Sequence, residues 1–154
     1  MTVPGAGITG LATAVSLLDA GCEVNVVTAS PIGAPASYLA AAAWFPARAG
    51  PPGRVATRGR RTYEVLAGQA RRSVPGVVMR ESPALCRQPP GTPDWAACAG
   101  KARPATAAEL PAGYAYGLRY AVPLAEMPLY LPWLVAQLRE RAGEIRARRV
   151  SSLG

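Results

Sequence analysis

The stretch Val3-Pro4-Gly5-Ala6-Gly7-Ile8-Thr9-Gly10-Leu11 reads as the end of a strand, a glycine turn and the start of a helix. Gly5, Gly7 and Gly10 stand in the G-x-G-x-x-G order of a dinucleotide-binding turn, and each has a physical task. The first allows a tight turn, the second lets a pyrophosphate approach the backbone, and the third lets the helix pack closely on the strand. The free amides and dipole of the helix N-terminus then favour phosphate charge. Three glycines alone are a weak signal, because glycine-rich loops are common turns. The sequence that follows strengthens it. Leu11 to Leu18 carries an apolar helical face, Gly21 is placed to cap that helix, and Glu23-Val24-Asn25-Val26-Val27 reads as a second strand. The result is a β-α-β unit of about 30 residues, the context the motif requires. Nucleotide binding is therefore favoured over a purely structural turn.

Two details depart from the usual pattern. Only Met1 to Pro4 precede the turn, and Pro4 cannot donate to a sheet ladder, although the first strand of a doubly wound sheet is normally central. The second strand ends at Thr28-Ala29-Ser30, where such folds usually place an acid for the ribose hydroxyls. Asp19 and Glu23 come too early for that task, so Thr28 or Ser30 would have to serve as weaker hydrogen-bonding groups. This argues against a tight NAD site and leaves FAD open.

The chain of 154 residues suffices for an ordinary domain with its own core, and 50% of it is hydrophobic. Sixteen glycines and sixteen prolines predict long loops. The net charge of +8 comes almost wholly from arginine, Lys101 being the single lysine. The arginines look scattered in sequence, with no basic stripe interleaved with aromatics, so a nucleic-acid partner is not expected. The positive field still favours anionic ligands. Cys22, Cys86 and Cys98 form no metal or disulfide framework, and the chain has no histidine. A metal site and a histidine-based triad are not expected, and a reduced, cytoplasmic setting is. No apolar run reaches the length of about 18 residues that a membrane span needs, and no signal peptide is evident.

Further along, Pro31 to Pro35 reads as a loop. Ala36 to Pro46 is a small-residue run ended by proline: either a buried alanine helix or a backbone brought close to something flat. Ala47 to Gly59 reads as a mobile Pro/Gly/Arg-rich segment. Arg60 to Arg72 is expected to be helical, with Tyr63, Val65 and Leu66 inward. Two short strands, Gly76 to Glu81 and Ala84 to Arg87, are expected around Pro83, a loop or single helical turn with Trp95 from Pro89 to Gly100, and a capped turn at Thr106 to Glu109. Tyr116 to Val122 reads as a strand. A helix is expected from Pro128 to Ala142, with Leu131, Leu134, Val135 and Leu138 as its apolar stripe and Gly143 as its terminator. Glu144 to Val150 reads as a last strand with an open edge.

These pieces, in this order, resemble the D-amino-acid oxidase family, which includes the D-aspartate oxidases. Four stretches carry the likeness: Gly5 to Leu11; Ala40 to Pro46; Glu109 to Gly117, continued by Pro123 and by Met127 to Leu134; and Arg148 to Leu153. The first is shared by many flavoproteins, whereas the third is specific. The resemblance implies an α/β fold, a Rossmann-like FAD-binding β-α-β unit with part of a mixed-sheet substrate domain, truncated to about the first half of such a protein. It divides the chain into 1–46 (FAD unit and flavin-side segment), 47–75 (loop and helix), 76–127 (partial substrate domain) and 128–154 (helix and strand returning to the FAD unit).

By the same resemblance, Gly5, Ala6, Gly7, Ile8 and Gly10 meet the FAD pyrophosphate. Thr28, Ala29 and Ser30 lie near the adenosine ribose, and Ser37 contacts FAD. Ala41, Ala42 and Ala43 lie beside the flavin ring, and the Val150 backbone meets the adenine. Pro35 and Ala36 lack hydroxyls that the family carries there. The implied reaction is FAD-dependent oxidative deamination of a D-amino acid by oxygen, giving a 2-oxo acid, ammonia and hydrogen peroxide. The family's substrate-carboxylate arginine and its accompanying tyrosine belong to the second half, so no catalytic residue is expected within this chain. The alternatives are a non-catalytic truncated remnant and an NAD(P)-dependent oxidoreductase using the same turn.

Overall fold

A computed structural model describes residues 1–30, 36–46, 50–91, 99 and 102–149. It divides into two compact units, Met1–Ala42 with Glu126–Gly154, and Ala43–Ala125.

The first unit is built on a parallel sheet. Strand β1 (Thr2–Pro4) leads through the glycine turn into helix α1 (Ile8–Asp19), which returns to β2 (Asn25–Thr28). After a single helical turn, α2 (Ala36–Leu39), the chain re-enters this unit with helix α4 (Met127–Glu140) and strand β7 (Glu144–Ala147). The order is β1-β2-β7, with β2 central and β1 at an edge of these three strands. Val26 on the central strand and Leu11 and Ala14 on α1 are fully buried, as the 3.6-residue period requires. All four expected stripe residues of α4, Leu131, Leu134, Val135 and Leu138, are buried. Gly21 takes φ +80° after α1, the left-handed conformation expected of a capping glycine. At the end of α4 the expectation fails. Ala142 takes the left-handed conformation, at φ +59°, and not Gly143. Gly143 is needed for space: a Cβ there would come within 2.8 Å of Leu138 Cγ and 2.9 Å of Leu18 Cδ1.

An antiparallel sheet has β6 (Tyr116–Glu126) between β3 (Ala41–Ala43) and β4 (Val77–Cys86), with β5 (Arg103–Pro104) also paired to β6; β4, β5 and all of β6 but its last residue belong to the second unit. Strand β3 is Ala41–Ala43, so the alanine run forms a strand after the short α2 and not a buried helix. Helix α3 spans Pro52–Arg71, starting well before the expected Arg60. Pro52 lies in its first turn, where a missing N–H costs nothing, and Gly59 admits the Trp44 indole, whose Nε1–H donates to the Gly59 carbonyl at 3.0 Å. Val65 is 40% exposed and does not face inward as expected, whereas Tyr63 reaches the Ala121 carbonyl at 3.0 Å and meets Trp44 edge-on. Trp44, Ala99, Tyr120 and Val122 are the buried centre of this unit.

Strand β4 runs unbroken from Val77 to Cys86 where two strands were expected. It lies at an edge of its sheet, and there Pro83 can turn its missing donor outward. Strand β6, Tyr116–Glu126, runs beyond the expected Val122 through a buried Pro123. The Pro123 carbonyl accepts from Trp44 N–H at 2.9 Å, so the lost donor faces the side where the three-residue β3 has ended. The capped turn is present at Ala107–Glu109, where the Thr106 amide donates to the Glu109 carboxylate at 2.9 Å. The Pro31–Pro35 loop and Val150, with most of the Pro89–Gly100 loop, lie outside the described residues.

Candidate functional site

In the first unit the carboxyl ends of β1, β2 and β7 come side by side. Pro4 is level with Val27 and Thr28 with Ala147, so the glycine turn, the end of β2 and the end of β7 share one rim. This is where open parallel sheets bind ligands.

The turn has the geometry its sequence demands. Gly5 takes φ +92°, and its amide donates to the Val27 carbonyl at 2.7 Å, which pins the turn to the second strand. A Cβ on Gly10 would fall 1.9 Å from the Gly5 carbonyl oxygen, so α1 approaches the turn at a distance that only glycine permits. Gly7 is the N-cap, and the Leu11 amide makes the first helical bond back to its carbonyl at 3.0 Å. The amides of Thr9 and Gly10 therefore stay outside the helical ladder. The first turn of α1 has no acidic residue. Its dipole is left for an anion. Ala6 is buried beneath the turn.

Ser37, on α2, joins this group. Its Oγ accepts the Ile8 amide at 3.2 Å, and a Cβ on Gly7 would stand 3.0 Å from that oxygen. At the end of β2, the Thr28 hydroxyl donates to the Ser30 carbonyl at 3.0 Å and receives the Ser30 amide at 3.3 Å. Ala29 and Ser30 are exposed at the rim. The structure thus gathers Gly5, Ala6, Gly7, Ile8, Gly10, Ser37, Thr28, Ala29 and Ser30 at one end of one unit. Ala41, Ala42 and Ala43 stand on β3, and Val150 is outside the described residues.

Arg148 and Arg149 follow β7 at the same rim. The Arg148 amide donates to the Thr28 carbonyl at 2.8 Å, which fixes this basic pair beside the end of β2. Both side chains are exposed, and neither makes an ion pair among the described residues.

In the second unit two arginines and two glutamates form a small network. Arg103 bridges the Glu81 and Glu109 carboxylates, with Nη2 at 3.0 and 2.8 Å, and Arg119 Nη2 meets Glu81 at 2.8 Å. The Arg103 hydrogen bonds, helped by the Thr106 amide, hold the Glu109 carboxyl well below the usual carboxylate range. Arg119 foremost lowers Glu81. These groups staple the 3₁₀ turn to the sheet and leave little net charge for a ligand.

A turn that only glycine can build, an amide cluster without acid and a nearby hydroxyl fit the diphosphate of a dinucleotide. Comparison with known proteins gives the family. Residues 2–154 match the family model described as FAD dependent oxidoreductase, DAO. The chain is 41% identical over 152 residues to a D-amino-acid oxidase of Rubrobacter xylanophilus, covering 98% of this chain and 47% of that protein. It is 35% identical to a D-amino-acid oxidase of Streptomyces coelicolor, covering 99% of this chain and 48% of that protein. The chain thus spans about half the length of these relatives. Among solved structures, glycine oxidase from Bacillus cereus matches with a TM-score of 0.66 at 17% identity, over 94% of this chain and 44% of that one. Iminodiacetate oxidase from a Chelativorans species matches with a TM-score of 0.64 at 17% identity, over 94% and 46%.

Proposed function

The chain belongs to the FAD-dependent oxidoreductase family DAO, and from that premise we propose that it is the amino-terminal half of an oxidase that converts D-amino acids to 2-oxo acids, ammonia and hydrogen peroxide. The observation that carries the reading is the 1.9 Å approach of a Gly10 Cβ to the Gly5 carbonyl, together with the acid-free amides beside it. The 41% identity to a D-amino-acid oxidase supports the substrate class.

In this reading the amides of the turn and of the α1 N-terminus hold the FAD pyrophosphate at Gly5, Ala6, Gly7, Ile8 and Gly10. Ser37 supplies a hydroxyl already within hydrogen-bond reach of that helix N-terminus. Thr28, Ala29 and Ser30 border the adenosine ribose, Ala41, Ala42 and Ala43 flank the flavin, and the Val150 backbone meets the adenine. The first unit is then the FAD domain and the second the partial substrate domain. Bound FAD would supply the redox chemistry, accepting a hydride from the amino acid and passing the electrons to oxygen. The protein's part is to bind and orient.

The test has two readouts. Titration of residues 1–154 with FAD should quench flavin fluorescence in the wild type and leave it unchanged in Gly7→Asp. A chain extended to the length of its relatives should form peroxide from D-alanine or D-aspartate and none from the L-enantiomers. Reaction with L-amino acids alone would overturn the substrate class, and wild-type FAD retention by Gly7→Asp would overturn the site.

A further inference from the structure

Helix α3 turns a scattered set of arginines into an ordered one. Because it begins at Pro52, positions 54, 58, 61, 65, 68 and 72 recur in steps of four and three and share one face. Arg54, Arg58, Arg61 and Arg72 stand on that face, all exposed, and the exposed Arg60 and Arg71 lie to one side of it. Gly68 makes room in the row. A Cβ there would meet Arg72 Nη1 at 3.5 Å and Arg71 Nη2 at 3.7 Å, so two like charges converge over one glycine. Glu64 is the single acid on the helix, and none of the six arginines forms an ion pair among the described residues. Asp94 is the one acid of the chain outside those residues. At most one further carboxylate is thus available, and most of the charge on α3 stays unmatched.

The inward side of the helix is fixed by the buried Ala67 and by Tyr63, whose hydroxyl donates to the Ala121 carbonyl at 3.0 Å. Tyr63 is therefore turned away from the arginines, and the row carries no aromatic ring to stack on a base. Val65, 40% exposed, stands in the middle of it instead. The 20 residues of α3 make a straight row about 30 Å long. A straight basic row with an apolar centre and no stacking group matches a flat anionic surface better than a grooved polyanion. We propose that the outer face of α3 docks the protein on bilayers of anionic phospholipid. The arginines meet lipid phosphates, for which their planar forks are bidentate partners, and Val65 rests at the headgroup boundary. Attachment is peripheral, because the apolar side of the helix already packs on the core of its unit through Tyr63. A cluster of basic residues on an amphipathic helix is what anionic lipids attract. This surface does not depend on the nucleotide site.

The experiment is vesicle sedimentation of residues 1–154. The protein should pellet with phosphatidylcholine vesicles containing about 30% phosphatidylserine and stay in solution with phosphatidylcholine alone. Raising salt from about 0.1 to about 1 M should release it, as the screening length falls from about 10 to about 3 Å. R58Q/R61Q should lower the partition coefficient about thirtyfold, the usual effect of two basic residues near such a surface. R80Q/R139Q removes the same charge from exposed positions elsewhere and should lower it far less. R58K/R61K keeps the charge and should retain most of the binding, and circular dichroism of each variant checks that the helix is intact. Equal losses in the two glutamine variants would mean general attraction to a basic protein and would overturn the proposal. So would equal pelleting with phosphatidylcholine alone. Loss of vesicle binding in a chain extended to the length of its relatives would mean that the second half covers this face, and would also overturn it. Retention on duplex DNA that R58Q/R61Q abolishes, without vesicle binding, would assign the face to nucleic acid instead.

Discussion

At the residue scale, Gly5 and Gly10 answer separate steric demands of the turn. Gly5 supplies a positive φ, and Gly10 supplies absence. Gly10→Ala must move α1 away from the Gly5 carbonyl. It should destabilise the fold by roughly 1–3 kcal/mol, the ordinary range for overpacking, as read from urea unfolding. A change inside about 0.5 kcal/mol, typical of surface sites, would mean that the contact is looser than described. The end of α4 departs from the expected glycine terminator for an equally specific reason. Gly143 looked like a terminator, but the left-handed residue is Ala142 and the glycine yields space to Leu138 and Leu18. Sequence shows that a glycine is needed without showing which need it meets. Ala142→Gly should therefore stabilise the protein by about 1 kcal/mol, since alanine there carries a left-handed penalty that glycine avoids. A lower thermal midpoint in that variant would contradict this.

At the element scale, periodicity located α1 and the buried stripe of α4, because burial on one side of a helix writes itself at 3.6-residue spacing. Leu134 is 2% exposed in that stripe. Leu134→Ala should cost about 2–5 kcal/mol in chemical unfolding, and a surface-like change would place the stripe outside the core. Prolines were the poorer guides. Pro83 and Pro123 read as strand breaks, yet each lies within a continuous strand because its absent donor is not called upon. The start of α3 was missed for a related reason: Pro51, Pro52, Gly53 and Gly59 argue for a loop locally, whereas packing of Trp44 on Gly59 rewards a helix. The ion-pair staple gives this unit a pH signature. Glu81 and Glu109 have folded-state pKa values below their unfolded ones. Their stabilisation is present above the ordinary glutamate value, about 4.3, and is lost as pH falls through the lowered folded values. Glu109→Gln should thus reduce the fall in urea midpoint between neutral and acid pH. An undiminished fall would show that other groups set it.

At the scale of the whole molecule, the order of motifs carried the family and the α/β class, and the comparisons bear both out. What sequence could not show is which basic residues meet the end of β2, because Arg148 and Thr28 are far apart in the chain and are joined only by a parallel pairing. A chain that spans about half the length of its relatives gives the proposed reaction a direct check. Residues 1–154 alone should release no peroxide from D-alanine above a free-flavin control, because holding the substrate Cα against the flavin supplies much of the rate. Stereoselective turnover by this half alone would show that the necessary geometry is already complete within it.

The pairing of the parallel sheet also sets a clock on individual protons. Gly5 donates to Val27, and Glu144 and Arg148 donate to Val24 and Thr28, so these amides point into the sheet. Along each edge strand the alternate residues must then point away: Thr2 and Pro4 on β1, Ile145 and Ala147 on β7. Proline has no proton to lose, so β1 presents a single outward amide, whereas β7 presents two. In deuterium oxide the backbone should exchange in alternation, slow at Arg148 and fast at Ala147 beside it. Whatever strand, from this chain or another, settles on β7 would be recorded as the selective slowing of Ile145 and Ala147.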